Sequence, residues 1–172
     1  MLTLEEYQEK LKEIVALNSA IILNPDPVNV GLSYFNETLA QLQACRERAS
    51  TILTEALWNR AEVQCILHDC EKNYEDVVNR ILSGDKNIAA LKSDKLRLAH
   101  VAQVATQEAN ASHEARKNLY FAEAFLKSVQ AIDNNLEAKN DNLVQQMHTV
   151  RLIMHLDPDV RDAFRGTSGG GY

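Results

Sequence analysis

The chain has 172 residues and a formal net charge of −6, with a pI near 5.4. Its length fits one domain, and its charge means that nucleic acid and anionic membranes repel the molecule as a whole, so binding either needs a local basic patch. Hydrophobic residues make up 45% but aromatics only 6%, and the six glycines and three prolines lie mostly at segment ends, which favours helices over sheets.

The longest apolar runs, such as Ala20 to Leu23, fall far short of the roughly 20 residues that cross a bilayer. The opening Met-Leu-Thr-Leu-Glu-Glu has no basic stretch followed by an apolar one. The expectation is a soluble cytoplasmic protein with no membrane partner. Three cysteines, Cys45, Cys65 and Cys70, are odd in number and lie along one helix, which suits a reducing compartment better than a disulfide framework.

A short helix is expected over 3–23. Thr3-Leu4-Glu5-Glu6 has the form of a capping box, in which hydroxyl and carboxylate each satisfy a backbone donor of the first turn. Asn24-Pro25-Asp26-Pro27 ends it, since proline lacks a donor and disfavours a helical residue before it. Asp26 can cap the next helix with Pro27 in first position.

The first long helix is expected over 27–82. Its apolar positions step by four and three from Phe35 through Leu39, Leu42, Arg46, Ala49, Leu53, Ala56, Arg60, Val63, Leu67, Cys70, Tyr74 and Val77 to Ile81. That is a heptad seam. Arg46 and Arg60 interrupt it and are expected to snorkel or to pair with carboxylates on a facing helix, since a buried lone cation is costly. At 1.5 Å per residue the helix is on the order of 80 Å long and needs a partner.

Ser83-Gly84-Asp85 supplies the turn, with Gly84 left-handed and Asp85 capping a second long helix over 86–156. So short a connection makes the two helices antiparallel neighbours. One seam of the second helix runs through Ile88, Leu91, Lys95, Leu98, Ala102, Ala105, Ala109, Ser112, Arg116 and Leu119. Another takes Ala122, Leu126, Val129, Asp133, Leu136, Asn140, Leu143, Met147, Val150 and Met154. Two successive steps of three between Arg116 and Ala122 form a stammer, where a bend or a change of partner is expected. Counted from the turn, the first arm covers the second only to about Asn140, so Leu143, Val150 and Met154 call for another surface, either the first helix or a second subunit. A further short helix over 157–165 and a flexible tail over 166–172 complete the chain. The fold class is thus all-α: a long antiparallel coiled-coil hairpin with a short N-terminal helix, one domain over 1–165.

Catalytic and metal chemistry find little support. Cys65, His68 and Cys70 are close in sequence, but no second ligand cluster stands at zinc spacing, and helix cysteines in a core explain them as well. His148 and His155 lie a heptad apart without a Glu-x-x-His pair. No Gly-rich phosphate loop or nucleophile elbow is present. A non-enzyme without cofactor, metal or catalytic residues is expected.

The charge pattern at the hairpin tip stands apart. Between Arg80 and Arg97, five cations (Arg80, Lys86, Lys92, Lys95, Arg97) face two carboxylates (Asp85, Asp94), a surplus of three in an acidic chain. Such an end can engage phosphates or an acidic partner. The plainer reading is a solvated helix face paired with Asp85 and Asp94. Stacking aromatics are lacking there, so base-specific reading is not indicated.

Three stretches together resemble the UvsY-type recombination mediators of bacteriophages. One is Ala44-Cys45-Arg46-Glu47-Arg48-Ala49-Ser50-Thr51-Ile52-Leu53. The next is the passage from Tyr74 through Leu82-Ser83-Gly84-Asp85-Lys86 to Ile88 and Lys92, similar to that family's Leu-Ser-x-Asp-Lys tip. The third is the repeated Leu/Ile pattern that reaches Met147-His148-Thr149-Val150-Arg151. The resemblance covers residues 40–155. It implies a ring-like homo-oligomer that binds single-stranded DNA and helps load a recombinase onto DNA coated by single-strand-binding protein. On that likeness Lys86, Lys92, Lys95 and Arg97, with Arg80 beside them, contact DNA. Leu126, Val129, Leu136, Leu143, Met147, Val150 and Met154 hold subunits together. The other reading is a structural or adaptor coiled coil, a virion component or assembly chaperone, whose tip docks an acidic protein.

Overall fold

The computed structural model describes residues 1–84, 93–159 and 161. Among these there is no strand. The elements are α1 (Leu4–Ala20), a 3-10 turn (Pro27–Asn29), α2 (Leu32–Gly84), α3 (Asp94–Val104) and α4 (Thr106–Leu156). Asp85 of the expected Ser83-Gly84-Asp85 turn, the expected start of the second long helix over 86–92 and the tail at 166–172 lie outside the described residues.

By contacts the chain divides into two compact units. One comprises Thr3–Glu55 and Lys127–Tyr172, and its described part is a three-helix bundle of α1, the start of α2 and the end of α4. The Thr3 hydroxyl accepts from the Glu6 amide while the Glu6 carboxylate accepts from the Thr3 amide, so the expected capping box is formed. A seven-residue repeat then sets each helix's inner face: Tyr7, Ile14 and Ile21; Phe35, Leu42 and Ala49; Val129, Leu136, Leu143 and Val150, all buried. Burying each large aliphatic of this set stabilises by about 1.5–3 kcal/mol. Lys10 pairs with Glu55 and Glu13 with Arg48, so α1 runs antiparallel to α2. The Lys139 ammonium donates to the carbonyls of Asn18 and Ile21, and the Gln146 amide to that of Asn24, so α1 lies parallel to α4. Arg46 reaches Glu137 at 3.9 Å while Phe35, earlier in α2, packs on Leu143 and Val150, later in α4, so α2 runs antiparallel to α4.

That register corrects one expectation. Equal lengths counted from Gly84 would set Arg46 against Ala122, whereas it faces Glu137. The first arm therefore reaches the end of the second. Phe35 packs on Leu143 and Val150, with Leu23, Val30, Tyr34, Leu39, Met147 and Met154 around them. Residues expected to lack a cover have one in their own chain. The linker is fixed by the Tyr34 hydroxyl, which accepts from the Asn24 amide at 2.6 Å, and by the edge-on contact of the Tyr34 and Phe35 rings, 5.4 Å between centroids. Two boundaries also move. Helix α1 ends at Ala20, and Pro27 opens only a 3-10 turn, with Asp26 making no cap bond.

The other unit, Met1–Leu2 with Ala56–Leu126, pairs the rest of α2 with α3 and the start of α4. Arg60 reaches Glu123 at 3.5 Å and Arg116 reaches Glu71 at 2.7 Å, so these partners are antiparallel too, and Arg60 finds the facing carboxylate expected for it. The inner residues are small: Ala56, Val63, Val101, Ala105, Ser112, Ala115 and Ala122, with Phe125 the largest. Asn59 is buried and its side-chain oxygen accepts from the Leu2 amide at 2.8 Å. Beyond Val63 the α2 seam is only half-buried at Leu67, Cys70, Tyr74, Val77 and Ile81. Apolar burial is thinner here than in the three-helix unit, and so is the stabilisation it supplies.

Candidate nucleic-acid interface

The expected basic end falls in the two-helix unit. Arg80 is exposed in the second-to-last turn of α2, where the Ser83 hydroxyl donates to the Asn79 carbonyl at 2.7 Å. Gly84 was expected to be left-handed; it is the last helical residue, and no described glycine has positive φ. Beyond the undescribed 85–92, Ser93 starts α3: its hydroxyl accepts from the Lys95 amide at 3.3 Å, and its carbonyl accepts from the Leu96 and Arg97 amides. Asp94 follows in the first turn, where a carboxylate complements the helix's positive end.

The five expected contact residues therefore divide. Lys86 and Lys92 lie outside the described residues. Arg80 and Lys95 are exposed to solvent. Arg97 is half-buried, and its guanidinium meets Asp94 at 3.4 Å, which takes up part of its charge within the chain.

Arg97 turns inward because the α3 seam differs from the expected one. Lys95, Leu98 and Ala102 were placed on the inner face, yet all three are exposed; the inward series is Arg97, Val101 and Ala105. The two series differ by one residue, about 100° around a helix. The change is accommodated at Ala105, which separates α3 from α4. Its amide still donates to Val101 and its carbonyl accepts from Ala109, so the interruption is a one-residue distortion in a continuing ladder. The adjacent Thr106 hydroxyl donates to the carbonyls of Ala102 and Gln103, a back-bond that bends helices. Helix α4 is unbroken across Arg116–Ala122, where the stammer pointed, and the division between the two units along α4 falls at Leu126–Lys127.

The residues expected to join subunits are used inside the chain. Val129, Leu136 and Leu143 are fully buried and Val150 nearly so, while Leu126, Met147 and Met154 are half-buried. Their inner faces meet helices of the same unit, so the coverage that motivated a second subunit is already supplied.

Elsewhere the chemistry is sparse. Cys65 is exposed, Cys45 and Cys70 are half-buried, and all three are free. No group of three or more His, Cys, Asp or Glu among the described residues is arranged to hold a metal. An open polar groove of about 700 Å³ in the three-helix unit is lined by Leu39, Gln43, Arg46, Glu47, Ser50, Asp133 and Asn140. A second groove, of about 370 Å³, is mainly apolar and lies between the start of α2 and the end of α4. Sequence reading missed this groove, as well as the exposed Trp58, Leu152 and Leu156, at 75%, 63% and 85% exposure. Trp58 falls between heptad positions, which was the one available signal. No described helix is long and apolar enough to cross a membrane.

No family model, no curated protein and no solved structure matches the chain.

Proposed function

We propose that the protein is a non-enzymatic, self-associating recombination mediator of the phage type, which binds single-stranded DNA and assists the loading of a recombinase onto strands coated by single-strand-binding protein. The observation that carries the reading is the concentration of cations between Arg80 and Arg97 in an otherwise acidic chain. Arg80 and Lys95 are exposed to solvent, as phosphate contact requires. With Lys86 and Lys92 they form a set of four cations that touch the backbone and not the bases.

The test is a titration of labelled oligo-dT over a range of salt. About four phosphate contacts give a slope of log K against log salt of roughly −3 on a single strand. A slope near zero, or no binding at low salt, contradicts the reading.

The inward turn and Asp94 pairing of Arg97 favour a second reading. A tip with fewer free cations suits an acidic protein surface, as in a structural or adaptor coiled coil of a virion or an assembly chaperone. It predicts a protein partner whose binding weakens with salt, and no affinity for oligo-dT.

A further inference from the structure

The end of α4 carries both halves of one contact. The first half is the apolar groove of about 370 Å³, floored by Phe35, Met147, Val150 and Met154 and edged by His148 and Arg151. The second is the pair Leu152 and Leu156, 63% and 85% exposed. They stand four residues apart and so project from one side of the helix. The exposed carboxylates of Asp157 and Asp159 follow at once. A single exposed leucine is ordinary, but two in succession beside an open apolar groove make a patch of the kind that binds another protein.

The two halves complement each other in shape and in charge. Apolar knobs are followed by the Asp157 and Asp159 carboxylates, and the apolar groove is edged by the Arg151 cation. Because all of these sit on one helix and the residues it packs against, a second copy of the same chain supplies what the first lacks. When both copies give and receive the same contact, the relation is a two-fold axis, which closes at two and leaves no open end.

We propose that this end of α4 is a two-fold interface between two copies of the chain, with their α4 helices antiparallel. Leu152 and Leu156 of each copy enter the groove of the other, and Asp159 of each faces Arg151 of the other. The inference rests on the self-association in the reading above, and is independent of DNA binding. It joins the exposed Leu152 and Leu156 to Met147, Val150 and Met154 of the α4 seam as the means of association.

The experiment is light scattering with sedimentation equilibrium on the full chain at physiological salt, for wild type and three variants. Leu152 and Leu156 are exposed, so the double variant Leu152→Asp/Leu156→Asp keeps its helical circular dichroism while the dimer dissociation constant rises at least tenfold. Arg151→Asp and Asp159→Arg each weaken the dimer alone, and mixing them in equal amounts restores it, since both cross-contacts then pair opposite charges. A monomeric wild type overturns both the interface and self-association. A multimer indifferent to the leucine variant overturns this interface and leaves self-association standing. Failure of the mixture to recover overturns the two-fold pairing.

Discussion

Arg48 on α2 grips Glu13 on α1 with two hydrogen bonds, Nε donating to Oε1 at 2.5 Å and Nη2 donating to Oε2 at 3.0 Å. This bidentate pair ties the first helix to the second in the three-helix unit, and the guanidinium holds the Glu13 carboxyl below its ordinary value of 4.5. Because the folded carboxyl ionises at lower pH than the unfolded one, the contact stabilises fully above that value and is lost as the pH falls through the lowered one. The prediction is that Glu13→Gln lowers the urea midpoint slightly at pH 7 and by less at pH 3. Both side chains are exposed to solvent, at 44% and 39%, so the effect at pH 7 is small. An equal loss at both pH values would mean that the pair acts through packing and not charge.

Leu136 is fully buried in the three-helix unit. Leu136→Ala removes that packing and leaves a cavity, at a cost of about 2–5 kcal/mol. The contrasting change is Leu152→Ala: that side chain is 63% exposed, so within a monomer the cost stays within about 0.5 kcal/mol. Chemical denaturation of both variants in dilute solution checks the contrast, and equal costs would show that the assigned inner face of α4 is wrong.

The Lys139 ammonium caps the end of α1 by donating to the Asn18 and Ile21 carbonyls. Lys139→Met keeps the apolar stem but leaves these acceptors without their donor, at a cost of about 1–3 kcal/mol. Hydrogen exchange should then speed up in the last turn of α1 before anywhere else in the unit. Unchanged protection there would remove Lys139 from the capping role.

Gly84 ends α2 in helical conformation, and a methyl group added to it meets nothing within 4 Å. Gly84→Ala is therefore expected to stabilise by about 0.4–1 kcal/mol, chiefly by restricting the unfolded chain. A drop in the thermal midpoint would show that this position needs a backbone conformation open only to glycine.

The faces of the helices were legible where periodicity is regular. The series Phe35, Leu42, Ala49, Ala56 and Val63 is fully buried or nearly so, and Arg46 and Arg60 pair with Glu137 and Glu123 on the facing helix. Register was not legible in the same way. A heptad pattern says which side of a helix is inside but not which stretch lies opposite, and the pairing of Arg46 with Glu137 is offset from a count taken at Gly84. The seam over 95–102 was misread because Leu98 and Val101 both fit a helical period, and only the distortion at Ala105 selects Val101. Of the candidate DNA-contact set, charge content could be read directly. The inward turn of Arg97 could not, because it follows from that same seam.

The most direct test of the central claim is fluorescence anisotropy of labelled oligo-dT with wild type and with the variant Arg80→Ala/Lys86→Ala/Lys92→Ala/Lys95→Ala at low salt. The account predicts that wild type binds, that the variant binds at least tenfold more weakly, and that Arg97→Ala alone changes affinity little because its charge is already shared with Asp94. Binding by the fourfold variant equal to that of wild type would contradict it and take the basic end out of the mechanism.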